Sequence, residues 1–74
     1  MQFLLIDMEY SKGTKVKHIR TGAVETVVGL CKIKYEGVWV DGVIYEGNDR
    51  FTGIPMTFVR RKEEFESEFT ILEK

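Results

Sequence analysis

A chain of 74 residues that is 43% hydrophobic and 31% charged, with 11 Lys+Arg against 12 Asp+Glu for a formal charge of −1, has room for one domain and excludes a two-domain enzyme. Its composition is ordinary globular, which excludes wholesale disorder. One cysteine, Cys31, excludes an intramolecular disulfide, and one histidine, His18, leaves no zinc set to assemble, so no metal or cofactor is expected.

Phe3-Leu4-Leu5-Ile6 is an apolar run of four residues closed by Asp7 and Glu9. It is too short for a membrane span and lacks a basic start, so the chain reads as cytoplasmic with no membrane partner. Residues 1–11 are expected to be an N-terminal arm or an extra strand. Glycines recur every few residues from Gly13 to Gly53, the turn spacing of a small barrel or sandwich.

In chain order, Thr14 to Arg20 reads as a strand ending in the turn Arg20-Thr21-Gly22-Ala23. Val24 to Val28 reads as a second strand, with Gly29 marking a bulge. Cys31-Lys32-Ile33-Lys34-Tyr35 alternates strictly, putting both lysines on the face opposite Cys31, Ile33 and Tyr35. Glu36-Gly37 is a two-residue hairpin connection into Val38 to Tyr45. Residues 46–55 form a loop closed by Pro55, and Met56 to Arg60 is another strand. Residues 12–61 therefore make the barrel strands. Residues 62–69 have a helical pattern with Phe65 and Phe69 four apart on one face, and residues 70–74 read as a closing strand. The fold expected is a mainly β, small SH3-like barrel of about five strands with a short C-terminal helix.

The pattern Gly13-x-x-Val16-x-His18-x-x-x-Gly22-x-x-x-x-Val27 resembles the opening hairpin of SH3-like barrels of the KOW and Tudor-like kind. The later order, Trp39 to Tyr45, then Phe58-Val59-Arg60, then Phe65 and Phe69, is similar to small uncharacterised bacterial and phage-associated proteins of that barrel type. The resemblance implies fold more than activity. The KOW-like pattern favours glycine where Glu25 stands, so the RNA contacts of that family are carried over to no residue here.

No catalytic constellation is expected. His18 sits in an apolar-alternating strand and reads as structural or merely exposed; Cys31 reads as a buried thiol, with Lys32 and Lys34 facing away from it. Asp41 and Asp49 match no calcium loop and read as solvated charges. Charge is unevenly spread, however. Residues 12–34 hold Lys12, Lys15, Lys17, Arg20, Lys32 and Lys34 against Glu25, a balance of 6 − 1 = +5, and the later residues are net acidic.

If their strands are neighbours, Lys15, Lys17, Lys32 and Lys34 form one basic face suited to phosphates; otherwise they are the solvated lysines that keep strands from pairing with other copies. Trp39, flanked by Val38 and Val40, points away from their face, where it is either covered by the N-terminal arm or the helix or offered to a partner. The function expected is a non-enzymatic binding module, with nucleic acid bound through the lysine face and Trp39. The alternative is a protein or peptide interaction module or a homodimer using Trp39 and the N-terminal arm.

Overall fold

The computed structural model describes residues 10–73. The arm expected over residues 1–11 lies outside the described residues except for its end, where Tyr10 is buried. Five strands follow: β1 (Lys15–His18), β2 (Val24–Tyr35), β3 (Val38–Asn48), β4 (Pro55–Arg61) and β5 (Phe69–Glu73), with the helix α1 (Lys62–Glu68) between the last two. They form a single antiparallel sheet in the order β4-β3-β2-β1-β5. The protein is thus mainly β with one short C-terminal helix.

Two expectations need correction. The segments Val24 to Val28 and Cys31 to Tyr35 are one continuous strand of 12 residues. The ladder is also not closed: among the described residues no hydrogen-bonded pairing joins the edges β4 and β5. Instead α1 links these edges and packs against β3, β4 and β5. β5 closes against β1 alone, with Val16 opposite Ile71 and His18 opposite Phe69.

Gly29 does mark a bulge. Val27 faces Tyr45 and Gly29 faces Ile44, so Val28 is one residue too many for its partner strand. At the far end Glu36 (φ 49) and Gly37 (φ 85) form the tight β2–β3 turn, and left-handed φ at both central residues matches the right-handed twist of the flanking strands. Gly37→Ala puts a Cβ into a left-handed conformation, so we expect a loss of about 1 kcal/mol. In a domain of this size that lowers the thermal midpoint by roughly 4–8 °C, measurable by circular dichroism.

The core lies on the side of the sheet that α1 covers. Val16, Val27, Val43 and Phe65 are fully buried, and Tyr10, Tyr45 and Phe69 nearly so. Phe65 stacks on Phe69 at 4.4 Å and meets Tyr10 edge-on at 5.1 Å and Tyr45 at 5.3 Å. The spacing of the two phenylalanines, one helical turn apart, turns both rings onto the sheet. Not every aromatic joins this core: Trp39 is 65% and Phe51 89% exposed.

Candidate functional site

The bulge decides where the predicted lysines go. Residues directly opposite each other in an antiparallel ladder share a face. Lys15 pairs with Thr26 and Lys17 with Val24, on the face away from the buried Val16 and Val27. Beyond Val28 the alternation is inverted: Leu30 lies opposite the buried Val43, Lys32 opposite Asp41 and Lys34 opposite Trp39. Lys32 and Lys34 therefore lie on the core side, where the hairpin runs out past the helix. All four lysines are exposed, but they do not form one basic face, because one extra residue moves everything after it to the other side.

Each pair has its own neighbours. Lys15 donates to Thr26 Oγ1 at 2.8 Å, and Lys32 is paired with Asp41, whose carboxyl is held below its ordinary pKa by that hydrogen bond and the lysine charge. The Lys34 ammonium stands 5.1 Å from the centre of the Trp39 ring, a cation–π contact on the hairpin tip. Trp39 is covered neither by α1 nor by any other described residue to the extent expected of a core tryptophan. Tyr35, on the opposite face of the same hairpin, carries the Arg61 guanidinium 4.1 Å above its ring.

Cys31 is half-buried, not a core thiol, and its Sγ lies against Gly42 on the outer side of the hairpin. Asp49 is a turn-former: its carboxylate accepts from the Thr52 backbone N–H at 2.9 Å and hydroxyl at 2.8 Å, which lowers its pKa. Among the described residues no group of His, Cys, Asp and Glu is placed to hold a metal ion.

A second set of polar groups gathers at the other end of the core side, and no spacing in the sequence announces it. Arg60 on β4 donates from Nε to the Tyr45 hydroxyl at 2.8 Å and is paired with Glu64 at 3.3 Å and Glu68 at 3.1 Å on α1. Glu68 also stands 3.5 Å from His18 Nε2. His18 Nδ1 accepts the Thr21 backbone N–H at 3.2 Å, so in the neutral ring the proton sits on Nε2, toward Glu68. The imidazole meets Phe69 edge-on at 4.9 Å, and His18 is buried.

Glu25 completes this group. Its carboxylate lies over Gly47, where a Cβ would come within 2.7 Å of Oε2, and its Oε1 is enclosed with no hydrogen-bond partner among the described residues. Burial raises its pKa, with His18 and Arg60 pulling the other way. Above these residues opens a cleft of about 430 Å³ between the β1–β2 turn and the β3–β4 turn. Tyr45, Phe58 and Phe69 supply aromatic lining and Arg20, Arg50 and Arg60 supply charge.

No family model, curated protein or solved structure matches the chain.

Proposed function

We propose that the protein is a non-enzymatic binding module for single-stranded nucleic acid, held through the Trp39–Lys34 pair on the β2–β3 hairpin. The observation that carries this reading is a tryptophan left 65% exposed with a lysine over its ring, in a chain short enough to need its aromatics in the core. An exposed indole gives an unpaired base a stacking surface, and Lys34 beside it gives its backbone positive charge, with Lys32 held by Asp41. The strand order β4-β3-β2-β1-β5 with a helix between the last two strands supports an SH3-like reading of the fold, an architecture that presents its hairpins as binding edges.

Titration of labelled single-stranded DNA and RNA, followed by Trp39 fluorescence at two salt concentrations, tests the proposal. Affinity falls as salt rises, because phosphate contacts release counterions. Trp39→Ala weakens binding by about 1–3 kcal/mol, the worth of one base–aromatic stack, while the protein stays folded. Replacing Lys32 and Lys34 by Ala weakens binding and flattens the salt dependence, whereas replacing Lys15 and Lys17, on the other face, does neither. Equal effects of the two lysine pairs, or a Trp39→Ala variant of unchanged affinity, overturn this reading; salt-insensitive capture of a peptide through Trp39 indicates a protein interaction module instead.

A further inference from the structure

The side of the sheet away from α1 divides in two. At its base, across β1, β2 and β3, it carries Lys15, Lys17, Thr26 and Glu46. Toward the hairpin it turns aliphatic: Ile33 lies opposite Val40, Tyr35 opposite Val38 and Ile44 opposite Val59, with Cys31 opposite Gly42 in their midst, and opposed residues share a face. A Cβ on Gly42 would stand 2.5 Å from Ile33 Cδ1 and 3.0 Å from Cys31 Sγ, so both side chains lie down over the glycine backbone and leave the middle of the patch flat. Tyr35, Val38 and Val59 are exposed, and the described helix packs on the other side. A solvated sheet face is ordinarily polar. Among the described residues of these rows the charged side chain on this face is Arg61, which lies over the Tyr35 ring.

We infer that this outer face is where two copies of the chain pack sheet against sheet, about a two-fold axis that crosses the Cys31–Gly42 pair. A two-fold contact needs a patch that complements itself. On β3, Gly42 is four residues from Val38 near the turn and four from Glu46 at the base, roughly 13 Å each way. An axis across the strands at Gly42 therefore lays aliphatic rows on aliphatic rows. It also sets the exposed Glu36 of each turn over the base of the other copy, where Lys15 and Lys17 outnumber Glu46.

The area is sufficient. Strands of 4, 12, 11, 7 and 5 residues cover roughly 600 Å² in plan, at about 3.3 Å per residue and about 4.8 Å between strands. The accessible surface of a face bearing side chains exceeds its plan, which brings it to the roughly 800 Å² per partner of a standard interface. An aliphatic centre inside a charged rim is the anatomy of such contacts, and a second copy gives a small chain with a one-sided core further apolar burial. The inference is independent of the nucleic-acid reading, because Trp39 and Lys34 lie on the core side and stay open in the pair.

Sedimentation of the whole chain from micromolar to millimolar concentration tests it, with the reaction rate of Cys31 toward a thiol reagent and the Trp39 emission followed over the same range. The chain passes from monomer to dimer, Cys31 reacts several-fold more slowly as the facing copy covers it, and Trp39 emission does not move. Val59→Lys, which sets a charge in the patch at an exposed position, abolishes the dimer and restores the monomer's Cys31 rate. Val38→Lys does the same and serves if the first variant fails to fold. Leu30→Lys, at an exposed position on the core side, leaves the dimer intact. A chain that stays monomeric at millimolar concentration overturns the inference. So does a dimer in which Cys31 keeps the monomer's rate, one that survives both lysine variants, or one whose formation shifts Trp39 emission, since each puts the contact elsewhere. Salt-dependent binding of strands by a chain that remains monomeric leaves the nucleic-acid reading standing without this one.

Discussion

Phe65→Ala should leave the protein largely unfolded at room temperature. Phe65 is fully buried and its ring touches those of Tyr10, Tyr45 and Phe69, so its removal opens a cavity bounded by three aromatics. Truncating a buried Phe costs about 3–5 kcal/mol, against a total stability of roughly 5 kcal/mol at the low end for small domains. The loss is aggravated by the element that carries the ring. α1 has seven residues and no side-chain cap at its N-terminus, and a helix that short forms only by docking. With Phe65 gone, Phe69 remains as an anchor only at the helix end. Urea titration followed by circular dichroism checks this, with Phe51→Ala as the control: that side chain is 89% exposed and its loss changes stability by no more than about 0.5 kcal/mol. A Phe65→Ala protein with the wild-type urea midpoint would remove α1 from the account of how the sheet is held.

Alkaline solution is the second large perturbation. Burial raises the pKa of both Tyr10 and Tyr45 above the ordinary value of 10.0, with Glu66 adding to the effect at Tyr10 and the Arg60 hydrogen bond partly offsetting it at Tyr45. The sign follows from which state holds the protons. Below the ordinary tyrosine pKa both states are protonated and nothing is lost. As pH rises past it, the unfolded chain releases protons that the folded chain still binds, so stability falls with pH until the folded tyrosines ionise as well.

Urea midpoints should therefore be level from about pH 7 to about pH 9 and drop steeply above about pH 10, where tyrosine ordinarily ionises. Tyr10→Phe should remove a large part of that drop. At neutral pH the same variant should cost less than about 1 kcal/mol, because the Tyr10 hydroxyl is buried without a hydrogen-bond partner among the described residues and its loss breaks no bond there. An alkaline slope identical in wild type and Tyr10→Phe would show that the Tyr10 ring is accessible to solvent.

The elements that rest on local periodicity were legible in the sequence. Strict alternation from Cys31 to Tyr35, the Glu36-Gly37 turn and the four-residue interval between Phe65 and Phe69 each depend on residues close together in the chain, and each forms as expected. Gly29 also marked the position of the bulge. Alternation could not show its consequence, since the inversion of faces depends on the pairing with β3 as well as on β2 itself. Trp39 was correctly set on the face opposite Val38 and Val40, but its exposure follows from how far the hairpin extends past α1, a tertiary fact.

The polar group around the cleft was invisible for a related reason. His18, Glu25, Tyr45, Arg60 and Glu68 come from four strands and the helix, at intervals that correspond to no local geometry. Only the sheet order brings them together, and Glu25 first appeared merely as a departure from a glycine-favouring pattern.

The pairing of β5 with β1 has a consequence for how the chain reaches this state. β2, β3 and β4 are a meander of neighbouring hairpins, each closed by a short turn, and can form early from local contacts. β1 finds its outer partner only when Ile71 arrives beside Val16, a closure that spans nearly the whole chain and carries a correspondingly larger entropic cost. During synthesis the first strand must therefore wait, paired on its β2 side alone, until residues 69–73 have emerged.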